Sequence, residues 1–538
     1  MFARIALGVA LLLGWAEASS AETWHRADTD NFIVYSTGSR GDLIERATDL
    51  ERFDALMRLR YRIPSTPSPN RPIVYLVDDE RRIMRSIACR RYGGVAGYYS
   101  SQLDGSYFVS HRRKQPDRND LQPEEVLFHE YGHHFMFRYF PYAYPGWYRE
   151  GFAEYYATTE FDDDGNWTYG KPPRYRGASL MDSSGQISAE RMLTVAQSDL
   201  SDEESYQVYT RGWLLVHMLH SDPERSRQLN AFLVAVARGE SKLDAARAAF
   251  GDLKELDRDL RRYMGKSPTY IRGREHIEYK GRMDVAKLDD VDSRFEQLRL
   301  DNRRSCDRRL THDRLADLAE KAPDRAYILS ELADAQHMIA HTDAWKAARK
   351  AAEERGEDED IEPGEPDLRM ALATIDRALA IEPEDGRAHA LKAEFLIDQA
   401  NHREDPALWE QARTHAIAAN RANPDDPFAL SLFYDSYTDN PEDITPMART
   451  ALERAFELAP EATGLRVKYA LDVALQGDYD RAVGIVDFLR TSPHSGKTGE
   501  LALAKIEALR SGVPYAEVAE MELGDEDEAG EEDDGEEA

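Results

Sequence analysis

The chain is poor in cysteine and, beyond its first 21 residues, in long apolar runs, and its basic residues are outnumbered by acidic ones. Two cysteines, Cys89 and Cys306, occur in 538 residues, which excludes a framework of several disulfides and leaves open whether these two pair. The 69 basic residues face 100 acidic ones, giving a net charge of −31. This balance disfavours nucleic acid and anionic lipid as general partners.

The first 21 residues have the composition of an export signal. Arg4 supplies a positive charge, residues 5–15 form an apolar core, and small residues offer cleavage sites, of which we favour the one after Ala21. The alternative is a membrane anchor, but this core is too short to cross about 30 Å of hydrocarbon as a helix. We therefore expect a cleaved signal peptide at 1–21 and an exported mature protein, periplasmic or secreted, without an integral membrane segment.

The next 245 or so residues change from a mixed pattern to a helical one. The stretches NFIVYST (31–37) and RPIVYLVDD (71–79) are rich in β-branched and aromatic residues, which predicts short strands. The intervening 42–62 has the apolar recurrence of a helix, and Asp104-Gly105 between aromatic stretches predicts a hairpin. From Leu121 to about 266 the pattern is helical. Residues 267–310 are charged without a clear period, and we interpret them as a connector.

A repeat follows from residue 311 to about 515. Pro383, Pro424 and Pro460 each follow one alanine by five residues and another by twelve. Alanines seven apart let a partner helix approach closely, and the proline ends the helix. The pattern resembles the tetratricopeptide repeat, which implies an all-α solenoid that binds a protein partner. An alanine-rich helical bundle without true repeats is the alternative. The remaining 516–538, with eleven acidic side chains and no basic one from residue 522 to 537, is expected to be a disordered acidic tail.

The stretch VLFHEYGHHFMF (126–137) places two histidines four residues apart around a glutamate. On a helix, His129 and His133 project from one face, so their imidazoles can hold one zinc ion, with Glu130 beside them. His134 points elsewhere and is expected to be structural. A helix that simply buries histidine is the alternative interpretation.

A catalytic zinc ion usually has three protein ligands and an open position for water. The stretch WYREGFAEYYA (147–157) offers Glu150 and Glu154, one helical turn apart and therefore on one face. One of the two would be the third ligand, and the other would orient a ligating histidine. The residues alone leave the order of these two roles open.

Together with VYTRGWLLVHML (208–219), these motifs resemble the gluzincin metallopeptidases, the clan of thermolysin and the zinc aminopeptidases, and also bacterial exported proteins of unassigned function with this core. The resemblance implies an α+β zincin-like domain over 22–266, a small N-terminal sheet followed by a helical HExxH subdomain. It implies zinc binding by His129, His133 and Glu150, with Glu130 as general base, Tyr209 as oxyanion donor and Glu154 as a supporting carboxylate.

Two points of this resemblance remain open at the level of sequence. The segment GGVAGYY (93–99) lacks the acidic residue with which aminopeptidases hold a free amine, so we expect an endopeptidase or an enzyme of unusual specificity. Tyr209 is equally compatible with a core tyrosine, and we expect His217 and His220 to be core or surface residues.

The sequence therefore predicts an exported zinc metallopeptidase that acts on a peptide or protein and carries a helical-repeat module for a protein partner. The alternative is an envelope scaffold that works through its repeats, with an inert or structural zinc fold. Zinc-dependent hydrolysis of a substrate other than a peptide is a third possibility.

Overall fold

The computed structural model describes residues 22–87, 95–140, 144–181, 186–195, 199–266, 269–273, 275–304, 307–356, 363–403, 405–439, 443–490, 496–519 and 521. The predicted signal peptide, Cys89, Cys306 and residues 522–538 lie outside these ranges, and the predictions for them stay predictions. No helix in the described ranges is long and apolar enough to cross a membrane.

The N-terminal part is built on a mixed sheet. Within the described residues it has six strands in the order β4-β5-β3-β2-β1-β9. The central strands β2, β3 and β5 are parallel, whereas β1, β9 and β4 run antiparallel to their neighbours. The strands are β1 His25–Asp28, β2 Ile33–Ser36, β3 Ile73–Val77, β4 Gly97–Ser100, β5 Tyr107–His111 and β9 Asp284–Lys287. The strands predicted from 31–37 and 71–79 and the hairpin predicted at Asp104-Gly105 are confirmed.

Helices cover both faces of this sheet: α1 Arg40–Tyr61, α2 Glu80–Ile87, α3 Pro123–Tyr139 and α11 Asp290–Arg304. Alternate residues of β3 point to opposite faces, as the period of a strand requires. Val74 and Leu76 join the core formed with α1 and α3, whereas Tyr75 joins a second core with Trp24 and Leu300 of α11. The sheet is therefore buried on both sides.

A second, mainly helical segment continues the first core. Its elements are α4 Gly146–Ala157, β6 Glu160–Phe161, β7 Trp167–Tyr169, α5 Gly177–Met181, α6 Ala189–Thr194, α7 Asp202–His220, α8 Pro223–Ala237, α9 Lys242–Phe250, α10 Leu253–Met264 and β8 Ile271–Arg272. Large apolar side chains such as Trp147, Phe152 and Trp213 lie in the same core as the sheet and α3. Helix α4 packs against α3 on one side and α7 on the other.

Within the segment predicted as a connector, 267–310, strand β9 and helix α11 are part of the N-terminal fold. Strand β9 pairs with β1, with Ala286 opposite Arg26, and α11 packs on the sheet, where Tyr75 donates to Glu296 at 3.3 Å. The domain therefore extends from 22 to about 304 rather than to 266. The segment looked structureless because β9 is a mostly exposed edge strand and α11 is highly charged.

The rest of the chain is helical. Its helices are α12 Arg308–Lys321, α13 Ala326–Arg355, α14 Arg369–Ile381, α15 Gly386–His402, α16 Pro406–Ala422, α17 Pro427–Asp435, α18 Pro446–Leu458, α19 Thr463–Leu475, α20 Tyr479–Arg490, α21 Gly496–Arg510 and α22 Tyr515–Ala519. Val518 of α22 is fully buried, so the expected disordered tail begins later than residue 516.

The alanine–proline pattern has a clear structural origin. Pro383, Pro424 and Pro460 lie just after the ends of α14, α16 and α18. The paired alanines are at most 1% exposed and allow the helices to pack closely: Ala371, Ala378, Ala412, Ala419, Ala448 and Ala455. The predicted helical architecture of this part is therefore confirmed.

The tip of the β4–β5 hairpin joins the sheet to the helical part. Leu103 packs against both cores of the helical part. Asp104 accepts from Arg387 of α15 at 3.0 Å and lies 3.7 Å from the Arg303 guanidinium of α11. Burial would raise the pKa of Asp104, but these two cations outweigh it and hold that pKa below its ordinary value.

Candidate metal centre

Helix α3 carries the two histidines, and its first turn has residues suited to a helix start. Pro123 occupies the first turn, where its missing N–H costs nothing. The Glu125 carboxylate accepts from the backbone N–H of Gln122 at 2.9 Å, which satisfies one of the free donors at the helix start. The helix ends at Tyr139.

The two histidines lie on one face of α3 and converge. The Nε2 atoms of His129 and His133 are 3.1 Å apart, and each side chain is 13% exposed. Their outer surfaces are covered by aromatic rings, since Phe137 stacks on His133 with centroids 6.1 Å apart. The imidazoles thus point their nitrogens at one small region while the rings are held by packing.

Glu150 of α4 completes the group. Its Oε2 lies 3.5 Å from Nε2 of His129 and 3.5 Å from Nε2 of His133. Helix α4 can approach α3 because of Gly132, where a Cβ would lie only 3.3 Å from Cα of Ala153. Among the described residues, the group that could hold a metal ion here consists of these two histidines and this glutamate.

The donor set suits a zinc ion chemically. Two imidazoles and one carboxylate are a frequent three-ligand set for catalytic zinc. For bonds of about 2.0–2.1 Å, tetrahedral geometry places ligand atoms roughly 3.3 Å apart, close to the separations of 3.1 and 3.5 Å found here. The residues present therefore fit the ion that the sequence predicts.

The electrostatics of the group favour a cation. Burial alone would raise the pKa of Glu150, but the facing imidazoles of His133 and His129 hold it well below its ordinary value. Burial opposes charge on His129, but Glu150, Glu154 and Glu130 together raise the pKa of His129 to about 9. The negative surroundings that stabilise a proton here also stabilise a metal ion in its place, because metal binding displaces that proton.

Glu130 lies next to the ligand group, against strand β4. A Cβ at Gly97 of β4 would lie 3.7 Å from Cγ of Glu130, and the backbone of Tyr99 in the same strand also lies close to the carboxylate. Burial raises the pKa of Glu130, although His129 and His133 oppose this. The carboxylate is thus held beside the sheet edge, where β4 is the outermost strand.

Tyr209 of α7 faces His129 from the other side. The two rings stack with centroids 6.1 Å apart and an interplanar angle of 28°. The charges of Glu150, then burial and the charge of Glu130, raise the pKa of Tyr209 well above its ordinary value, so its hydroxyl keeps its proton. Helix α7 begins with reciprocal bonds between Ser201 and Glu204 at 3.1 and 3.3 Å, a capping box.

Glu154 lies behind the group, with different partners from those expected. Its Oε1 is 3.8 Å from Nδ1 of His129, which is too long for a direct hydrogen bond. Instead it accepts from Arg176 at 2.8 Å and from the Tyr175 hydroxyl at 2.5 Å. The Arg176 guanidinium also lies 5.1 Å from the ring centroid of Tyr209.

Tyr175 and Arg176 are site residues that sequence reasoning missed. They lie in a short turn at Arg174–Arg176, between β7 and α5. The only local signal was the adjacent Pro172-Pro173 pair, which marks a turn but not its position in space.

The histidines expected to be structural lie outside the ligand group. His134 is buried, with Nδ1 3.0 Å from the Tyr99 hydroxyl. His217 is buried and pairs with the Tyr263 hydroxyl at 2.8 Å. His220 packs on the ring of Tyr155, with centroids 5.4 Å apart.

Comparison with known proteins adds little to this geometry. No protein-family model matches the chain, and no curated protein matches it. One matching solved structure is the human IFIT1 dimer with PPP-AAAA, at 12% identity, covering 66% of this chain and 84% of that chain with a TM-score of 0.23. A likeness of this size carries no argument about fold or function.

Proposed function

We propose that this protein is an exported, zinc-dependent metallopeptidase of the gluzincin type, with a zincin-like domain at 22–304 and a tetratricopeptide-type solenoid after it. The observation that supports this most directly is the convergence of His129, His133 and Glu150, whose ligand atoms all lie within 4.8 Å of one another. The resemblance assigns Glu150 from the sequence, and in the fold this residue faces both imidazoles.

In this proposal each neighbouring residue has a separate task. A zinc ion bound by the three ligands would polarise a water molecule and the substrate carbonyl. Glu130 accepts the water proton and passes it to the leaving amine, a role that commonly contributes about 10²–10⁴-fold to the rate. Tyr209 donates a hydrogen bond from its protonated hydroxyl to the developing oxyanion. Such a bond commonly lowers the reaction barrier by about a few kcal/mol. Arg176, held by Glu154, contacts the ring of Tyr209 and positions it.

The sheet edge supplies a place for an extended substrate. Strand β4 is at the edge of the sheet, and its residues Gly97 and Tyr99 adjoin Glu130. An extended peptide can add to such an edge through main-chain hydrogen bonds. Binding along a strand does not require a free terminus, which favours an endopeptidase.

The test compares wild type with Glu130→Gln. We expect both proteins to retain one zinc ion at this site, because the substitution leaves the three ligands unchanged, and the variant to lose peptide cleavage by at least about 100-fold. His134→Gln is a matched control on the same helix and should retain cleavage. Equal cleavage by wild type and Glu130→Gln would refute the assigned base. Zinc-loaded wild type that cleaves no member of a broad peptide library would favour the scaffold alternative.

A further inference from the structure

A second group of ligand-type side chains lies in the helical part, between α13 and α15. His337 and His341 are one turn apart on α13, and Asp398 of α15 faces them. Oδ2 of Asp398 is in contact with Nε2 of His337 and lies 2.9 Å from Nε2 of His341. The two Nε2 atoms are 3.2 Å apart. The three ligand atoms thus converge as they do in the candidate centre on α3.

Hydrogen bonding alone does not account well for this convergence. If both rings donate to the same carboxylate oxygen, two N–H groups are forced together at a nitrogen separation of 3.2 Å. If only one ring donates, the other directs a lone pair at an electronegative neighbour. A cation accepts all three lone pairs at once, and tetrahedral zinc places its ligands at about this separation.

Further carboxylates surround His337. Asp334 of α13 and Glu394 of α15 form a second potential ligand group with it. Glu394 and Asp398 are one turn apart on α15, so each helix presents a pair of ligand residues to the other. The His337 ring is fixed by stacking on Phe395, with centroids 4.6 Å apart and an angle of 25°.

The group is also accessible. The side chain of His341 is 45% exposed and that of Asp398 is 24% exposed, whereas His337 is 12% exposed. One side of the group is therefore open to solvent, so an ion can reach the buried nitrogen without unfolding of the helices.

We propose that His337, His341 and Asp398 form a second divalent metal site that ties α13 to α15, with zinc as the preferred ion. Two imidazoles and one carboxylate favour Zn²⁺ over Mg²⁺ and Ca²⁺, which prefer oxygen ligands. The ion stabilises the helical part by binding only when the two helices are packed. This site is separate from the candidate centre on α3 and does not rest on the peptidase proposal.

The test is metal content of the full-length exported protein after loading with Zn²⁺ and removal of free metal. We expect two equivalents for wild type, one for His129→Ala/His133→Ala, one for His337→Gln/His341→Gln, and none when all four are changed. A control is His389→Gln/His415→Gln, a neighbouring histidine pair with Nδ1 atoms 2.8 Å apart and no third ligand group among the described residues; it should retain both equivalents. An unchanged metal content in His337→Gln/His341→Gln overturns the proposal.

A second measurement keeps the test decisive if that variant does not fold. In the His129→Ala/His133→Ala protein, titration with Co²⁺ should give saturable absorption of a tetrahedral ion at one equivalent, and chelation should lower the melting temperature. Adding Asp398→Asn should abolish both effects. Absence of Co²⁺ binding in the His129→Ala/His133→Ala protein, or identical behaviour after Asp398→Asn, overturns the proposal.

Discussion

Helix α3, which carries the candidate metal ligands, is joined to the helical part by a buried ion pair. Nη1 of Arg138 lies 3.1 Å from Oε2 of Glu461, and the two side chains are 12% and 1% exposed. Arg138 also donates to the carbonyl of Leu458 at 2.8 Å and to Ser68 Oγ at 3.1 Å. Glu461→Gln keeps the shape of the side chain and removes its charge, leaving a buried guanidinium with neutral acceptors only.

The separation of the two groups sets the expected cost. Two unit charges 3.1 Å apart interact by about 5 kcal/mol at an effective dielectric constant of about 20. Removing one partner of a buried pair usually costs about 3–5 kcal/mol. Because Arg138 keeps its bonds to Leu458 and Ser68, we expect Glu461→Gln to lower the free energy of unfolding by about 3 kcal/mol.

Urea unfolding followed by circular dichroism measures this cost, and a double-mutant cycle with Arg138→Met isolates the pair. The pair of Arg454 and Asp425 in the same region is a matched control, because its side chains are 47% and 44% exposed. Asp425→Asn should cost less than about 1 kcal/mol. If Glu461→Gln costs no more than this control, the buried pair does not hold α3 to the helical part.

Two other changes test the packing and the pH response of the domain. Gly151→Ala would place a Cβ 2.5 Å from the Gly212 carbonyl oxygen. We therefore expect the free energy of unfolding, measured in urea, to fall by about 1–3 kcal/mol, and zinc binding at the adjacent Glu150 to weaken. Gly464→Ala, whose Cβ would meet nothing within 4 Å, is the control and should be neutral or stabilising; equal effects would contradict the close approach of α4 and α7. Burial, aided by Arg60 and His217, lowers the pKa of His220 from 6.5 to about 4. Between pH 6.5 and about pH 4, His220 therefore binds a proton in the unfolded chain but not in the native state. The free energy of unfolding consequently falls as the pH falls through this range. The loss from this residue between about pH 7 and pH 5 is about 2 kcal/mol, and His220→Gln should reduce the wild-type difference in urea midpoint between these pH values; an unchanged difference would refute the assignment.

Local patterns predicted what depends on local chemistry. The β-branched and aromatic run at residues 73–77 predicted β3, and Asp104-Gly105 predicted the β4–β5 hairpin, because these signals lie within a few residues of their effect. The spacing of His129 and His133 placed both imidazoles on one helical face. Each of these features is fixed by the geometry of a single strand or helix.

The parts that were missed depend on partners distant in the chain. Strand β9 is defined by pairing of residues 284–287 with residues 25–28, and nothing within its own four residues requires that pairing. The partners of Glu154 come from Arg174–Arg176, a turn without a helical or strand period. Position in three dimensions, rather than residue type, gives these segments their roles.

Arg303 and Arg387, which bind Asp104 at the hairpin tip, link movements of the helical part to the sheet. The Asp104 carboxylate forms ion pairs with arginines of α11 and α15, while strand β4 of the same hairpin contacts Glu130. A shift of α15 would therefore act on the short β4–β5 hairpin, whose strand β4 lies beside the proposed base. Binding of a partner to the helical part would then act on Glu130 through β4, with no hinge needed between the two halves of the molecule.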